Sequence, residues 1–333
     1  MKGFTGELRR ETIFEAAFWA ALLAAYFLLP GYRVLGSQIL ILALFALSLD
    51  LVLGYAGILT LGHAAFLGLG AYTAGLLSVH GWGEPLTGLL AGAAVAAIVG
   101  FATSFLVVRG EDLTRLMVTL GLGFLLYEAA NKAAFVTGGV DGLSGVTMWK
   151  LFGAFPFDLA GRTAYLYSLA VLFIVFLFLR RLSRSPFGLA LQGIRDNARR
   201  MAALGFNVTA HRVAAYAFAA LIAAIAGVLL VWHGGQISPG TAGVGPVIDI
   251  LIIAVVGGLS RPIGAFIGAI IYVILRTFAL DALVMVGLDG KRFQLLIGVG
   301  FLLIVLFSPD GILGLWARWR ARYAGSNARD RRT

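Results

Sequence analysis

The residues with chemistry to offer are concentrated in one stretch, Ser185 to Arg212, SPFGLALQGIRDNARRMAALGFNVTAHR, a basic interval inside an otherwise apolar chain. Ser185 is placed to cap a helix beginning at Pro186, whose missing N–H and fixed φ suit the first helical position. Asn197 is placed to cap a second short helix, which Gly205 ends by taking a left-handed conformation costly to other residues. The pair presents Arg195, Asp196, Arg199 and Arg200. Such an ordered handle suits the gripping of a protein partner, because a mere connector could be far shorter. The other reading is that its arginines only set orientation against anionic lipid.

Covalent and metal chemistry have no residues to run on. There are 0 cysteines, which excludes disulfides and thiol chemistry. The histidines, His63, His80, His211 and His233, lack any metal-ligand spacing. No HExxH, no paired catalytic carboxylates and no Ser-His constellation occur, so neither an enzyme nor a bound cofactor is expected. The nearest look-alike to a nucleotide-binding G-x-x-x-x-G-K-[ST], Gly287 to Lys291, has the wrong spacing and no following Ser or Thr. Any ATP hydrolysis must come from another chain.

The elements that carry the handle are membrane segments. Hydrophobic residues make up 60% of the 333 and charged ones 13%, with a mean hydropathy of +0.93, where a soluble chain carries about a quarter charged residues. Runs this long and continuous predict an all-α, polytopic transmembrane helical bundle, since backbone groups in lipid must be satisfied internally. Apolar segments fall at 13–29, 37–53, 60–79, 85–108, 114–135, 163–182, 213–233, 247–258, 262–279 and 292–308. That is about 10 membrane segments, and about 8 full spans with 2 re-entrant pieces fit equally, because the third is glycine-rich and the eighth is short. The first run is retained as a membrane helix, since no cleavable signal is evident.

Charge orients the bundle. Arg180, Arg181, Arg184, Arg195, Arg199, Arg200 and Arg212 face a single acid, Asp196, across the central interval, and the tail holds Arg318, Arg320, Arg322, Arg329, Arg331 and Arg332 against Asp330. Both belong in the cytosol. The gap 136–162 balances Lys150 and Arg162 against Asp141 and Asp158 and belongs outside. Six crossings before the handle and four after it place both termini in the cytosol. The expected organisation is a cytosolic segment 1–12, a single membrane domain 13–316 with a cytosolic loop 183–212, and a basic tail 317–333. A net charge of +10 distributed this way speaks for membrane topology rather than nucleic acid.

Glycine numbers 44 of the 333 residues, much of it inside the apolar runs, as at Gly54, Gly57, Gly62, Gly68, Gly70 and Gly75. Close helix packing accounts for Gly88-Leu-Leu-Ala-Gly92 and Gly264-Ala-Phe-Ile-Gly268. For GYAGILTLGHAAFLGLGAY, residues 54 to 72, packing and a broken helix lining a polar path are equally open. The second reading makes Tyr55, Gly57, Thr60, Gly62 and His63 path residues, with Asp249 as an ionisable companion. Buried charge costs about 2.5–3.5 kcal/mol on insertion scales, so Asp50, Glu128 and Asp249 each invite a role. Asp50 is placed to hydrogen-bond the broken backbone, and His63 either lines the path or bonds a neighbouring carbonyl. The two halves show no obvious repeat.

Together these stretches resemble the inner-membrane permease subunits of bacterial ABC importers for branched-chain amino acids, the M-type subunit in particular. The resemblance is carried by GYAGILTLGHAAFLGLGAY from Gly54, TGGVDGLSGV from Thr137, SPFGLALQGIRDNARRMAALGFNV from Ser185, VVGGLSRPIGAFIGA from Val255 and LFSPDGILGL from Leu306. It implies a heterodimer with a homologous permease subunit, two cytosolic ATPase subunits, an external binding protein and a bacterial inner-membrane location. It also implies that Ser185, Pro186, Gly188, Arg195, Asp196, Asn197, Arg199, Ala203, Leu204 and Gly205 dock on the ATPase. The chain departs from the family pattern where Arg199-Arg200-Met201 replaces an acidic residue before the alanines, and at Ile58, where glutamine is common. The implied cargo is a branched-chain amino acid. The alternatives are another small polar nutrient, such as urea or an amide, and a self-contained secondary carrier.

Overall fold

Proline and glycine divide the chain into helices and two breaks. The computed structural model describes residues 2–110, 112–157 and 161–285, together with positions 298, 299, 302, 311 and 314. The first half holds α1 (Lys2–Leu28), α2 (Arg33–Leu49) extended by a π-helical turn (Asp50–Tyr55), α3 (Ala64–Val79), α4 (Pro85–Arg109), α5 (Asp112–Lys132), the single turn α6 (Ala134–Thr137) and β1 (Leu143–Ser144). There follow α7 (Arg162–Ser183), α8 (Pro186–Ala203), α9 (Val208–Gly234), β2 (Gln236–Ile237), α10 (Val244–Gly257) and α11 (Pro262–Met285). Pro85, Pro186 and Pro262 each open a helix, where a missing N–H removes no bond.

Among the described residues, five helices are long and apolar enough to cross a membrane: Pro30–Tyr55, Pro85–Arg109, Leu113–Lys132, Arg162–Ser183 and Val208–Gly234. A sixth is reached if Val244–Gly257 and Pro262–Phe278, bent by 116° at their junction, count as one span. The expected apolar segments from 13–29 to 262–279 each overlap a helix, though 60–79 is helical only from Ala64 and not every helix is long enough by itself to count as a span. At about 1.5 Å per residue, α3 and α10 reach about 24 and 21 Å, short of about 30 Å of hydrocarbon. The segment 292–308 lies outside the described residues except for positions 298, 299 and 302, and the tail 317–333 lies wholly outside them.

The first helix already runs through residues 2–12, since no proline interrupts it before Pro30. Within the expected cytosolic loop 183–212, α7 extends through Ser183 and the polar residues 208–212 form the first turns of α9.

α9 and α2 form the buried centre, and α3, α4, α7 and the α10–α11 pair surround them. Small residues let these helices meet backbone to backbone. A Cβ on Gly227 would strike the Leu67 carbonyl of α3, and one on Gly70 would strike the backbone of Ala224. The two spaced glycine pairs act as expected. Gly88 and Gly92 of α4 seat Trp232 and Val228 of α9, while Gly264 and Gly268 of α11 lie against Gly257 and the Ile253 carbonyl of α10.

The breaks are 56–63, before α3, and 235–243, before α10. The first starts beside α8, at the handle end, and α3 leaves it toward the far end, where Ser78 meets Thr147. The second starts at the far end, where β2 pairs with β1, and descends until Ala242 touches Gly68 within α3. α10 then runs to the handle end, where the residues after Gly257 meet Gly54. A helix, a break and a short helix thus occur twice in opposite directions, a repeat the sequence does not display.

Candidate functional site: a clasp between the handle and two helix ends

α8 is amphipathic, and its buried residues Gly188, Ala190, Leu191 and Ile194 lie against the bundle. Its start is built as expected. Ser185 Oγ accepts from the Gly188 N–H (3.3 Å) and donates to the Leu182 carbonyl (2.6 Å), with Pro186 at the first position. The helix kinks at Asn197 (φ −158°, ψ 94°), whose Oδ1 accepts from the Arg200 N–H at 2.9 Å, so a second cap starts a second short helix. Gly205 has φ +89°. Beyond the kink, Arg199, Arg200, Ala203, Leu204 and Gly205 are exposed.

Arg195, two residues before the kink, does not simply face solvent. Its Nη1 donates to the Gly54 carbonyl (2.5 Å) and to Ser260 Oγ (2.7 Å). Its Nε and Nη2 hold Asp196 Oδ1 at 3.1 and 3.0 Å. Ser260 sits in the turn between α10 and α11 at φ +62°. Its N–H donates to Asp50 Oδ1 (2.7 Å), its hydroxyl donates to the Gly54 carbonyl (2.8 Å), and its carbonyl accepts from the Tyr55 hydroxyl (3.2 Å). Gly57 follows at φ +66°, and a Cβ there would meet the Arg195 side chain, so the position needs glycine twice over.

The clasp is a consequence of how α2 ends. A helix terminus leaves carbonyls without intrahelical partners, and the π-helical turn from Asp50 to Tyr55 directs the Gly54 carbonyl to Arg195 and Ser260. A guanidinium is the natural cap for such a carbonyl. Asp50 is 3% exposed and is satisfied by the Ser260 N–H, so the carboxylate expected to bond its own broken segment instead bonds the turn of another helix pair.

The remaining expected path residues separate into two other places. Thr60, Gly62 and His63 are core residues of the first break. Leu61 N–H donates to Thr119 Oγ1 (3.2 Å), Gly62 is pressed on Thr119 and Gly123, and the His63 ring stacks on Phe45 at 5.8 Å. His63 Nε2 lies 2.8 Å from Ser48 Oγ, which itself donates to the Phe45 carbonyl (2.6 Å), so Nε2 carries the proton and a hydroxyl, not a carbonyl, accepts it. Asp249 lies on α10, away from this group, beside Tyr272 and Arg276 of α11. Sequence reading missed Ser260, Ser48 and the Gly54 carbonyl. Ser260 stands within the quoted VVGGLSRPIGAFIGA, but a serine two residues before a helix-opening proline reads as an ordinary turn.

Among the described residues no group of acidic, histidine or cysteine side chains could hold a metal ion. Long apolar helices, two breaks running in opposite directions and an ordered basic handle define the class, a multi-pass helical membrane protein. The chain belongs to the family of branched-chain amino acid transport system permease components, whose family model matches residues 34–306. It is 27% identical to the high-affinity branched-chain amino acid transport system permease protein LivM of Salmonella typhimurium, over 92% of this chain and 76% of that one. The corresponding permease protein BraD of Pseudomonas aeruginosa is 27% identical over 82% of this chain and 91% of its own. The fructose import permease protein FrcC of Rhizobium meliloti is 28% identical over 82% and 75%. No solved structure gives a significant match. The resemblance drawn from the five quoted stretches therefore holds, and the relatives are permease proteins rather than enzymes.

Proposed function

We propose that this chain is the M-type permease subunit of an ATP-driven importer in the bacterial inner membrane. It forms the translocation path with a homologous subunit and accepts branched-chain amino acids from an external binding protein. Two cytosolic ATPases grip the handle, with the exposed Arg199, Ala203, Leu204 and Gly205 as the docking face. Both termini and the handle lie in the cytosol, with six segments before the handle and four after it. What supports this above all is the clasp, in which Arg195 bonds both the end of α2 at Gly54 and the α10–α11 turn at Ser260. A pull on the handle is thereby transmitted to the end of α2, where the first break begins, and to the turn that follows α10.

The cargo assignment follows the two relatives named for branched-chain amino acids, while the fructose permease marks the scaffold as compatible with other solutes. Reconstitution of the chain with its membrane partner, ATPases and binding protein in liposomes is the test. ATP-dependent uptake of labelled leucine, competed by isoleucine and valine but not by urea or fructose, is the expected result. Uptake by this chain alone on an ion gradient would replace the importer with a secondary carrier.

A further inference from the structure

The stretch TGGVDGLSGV from Thr137 takes no part in the clasp, yet it builds one wall of a cavity at the far end of the molecule. β1 and β2 pair antiparallel, with Ser144 opposite Gln236 and Leu143 opposite Ile237. Opposite residues of a ladder share a face and successive residues alternate, so the pair has one polar and one apolar face. The apolar face packs on α3, where Leu143, Ile237 and Val146 border Gly75. Ser144 and Gln236 border a cavity of about 370 Å³ that Asp141, Ser238 and Thr241 also line. The remaining lining is apolar, with Ala71 of α3 and Leu230 and Val231 of α9. Among the described residues, none of these polar side chains is committed to a hydrogen bond or ion pair, and of those lining the cavity Asp141 alone is charged. Thr241 is followed by Ala242, which touches Gly68, so the cavity adjoins the point where the second break meets α3. Small-ligand sites have this make-up: about 300–1,000 Å³, largely apolar, with a few uncommitted polar groups.

We propose that this cavity is the entry site for the cargo and that it takes a zwitterionic α-amino acid with an aliphatic side chain. This rests on the importer reading, which puts the handle in the cytosol and the far end outside. The Asp141 carboxylate accepts from the ammonium, a charge-assisted hydrogen bond. The hydroxyls of Ser144, Ser238 and Thr241 and the Gln236 amide donate to the carboxylate, while Ala71, Leu230 and Val231 receive the aliphatic side chain. A sugar has no cation for Asp141 and little apolar surface for α9. Among the described lining residues no fixed cation answers the cargo's carboxylate, so the hold is weak, as entry followed by onward release requires.

The chain has 0 cysteines, so Ser144→Cys gives a single labelling position in the importer assembled with its partner subunit and ATPases in liposomes. A charged, membrane-impermeant thiol reagent applied to the face opposite the handle is expected to modify it. Saturating leucine should slow that modification several-fold, and fructose should leave it unchanged. With Asp141→Asn in the same chain, about ten times more leucine should be needed for equal protection, and Asp141→Glu should recover part of the loss, since hydrogen bonds to charged groups are the stronger ones. Protection by the ligand-free binding protein but not by leucine would make this a protein-docking surface and overturn the inference. So would a cysteine reached only from the handle side, or leucine protection indifferent to Asp141→Asn. Uptake by the unaltered importer separates the two levels: no leucine uptake overturns the importer reading as well, whereas uptake with an unprotected cysteine overturns this inference alone.

Discussion

The two breaks occupy equivalent places in oppositely directed units, yet they are fastened by different chemistry. The break before α10 is fixed mainly by backbone. Leu143 pairs with Ile237 and Ser144 with Gln236, and the Val146 N–H donates to the Gly235 carbonyl at 3.1 Å. The break before α3 begins at a knot of side chains, where Arg195, Ser260 and Asp50 converge around the Gly54 carbonyl. A backbone ladder is passive and holds whatever the handle does. A guanidinium reaching from the handle is conditional, because any movement of α8 lengthens its bonds. The far end is therefore the fixed end of this molecule and the handle end the adjustable one.

Removing the clasp should separate the two ends most sharply. Arg195→Ala is expected to reduce ATP-driven uptake about tenfold to a hundredfold, since hydrogen bonds to charged groups are worth about 1.5–3 kcal/mol and about 1.4 kcal/mol is a factor of ten. Insertion and yield should be near normal, as Ser260 still bonds Gly54. Next in size, Asp50→Ala strands the Ser260 N–H and should lower the stability of the solubilised protein by about 1–3 kcal/mol, read from its thermal midpoint. At the fixed end, Gly142→Ala places a side chain at φ +73° against the Ile237 carbonyl. It should cost a similar ~1–3 kcal/mol of stability but leave uptake per folded molecule unchanged. Smallest is Ser185→Ala, which removes one cap and should cost about 1 kcal/mol, with little effect on uptake. A Gly142→Ala protein that folds normally but no longer couples ATP hydrolysis to uptake would erase the distinction between the two ends.

Local features of this fold were legible because they depend on neighbours in the chain. Ser185, Pro186, Asn197 and Gly205 cap and end helices using residues within four positions, and the structure has all of these features. The glycine pairs in α4 and α11 were readable for the same reason. Arg195 was legible as part of a basic interval but not as a clasp, since its partners lie 141 and 65 residues away. Hydropathy located the segment from 60 to 79 but not its break, because the buried Thr60 and His63 sit within it and no helix forms until Ala64. The π-helical turn at Asp50–Tyr55 left no signal at all, for its residues read as an ordinary helix end. The opposed repeat was invisible because its two units share a geometry rather than a pattern of residues.

The measurement that bears most directly on the clasp is a double-mutant cycle on ATP-driven leucine uptake with Arg195→Ala, Ser260→Ala and the two combined. If the handle acts on the helix ends through this contact, the double variant should transport, per folded molecule, no worse than Arg195→Ala alone, the coupling energy accounting for most of the Ser260→Ala effect. Effects that multiply as independent losses would contradict the account, leaving Arg195 and Ser260 as neighbours with separate duties.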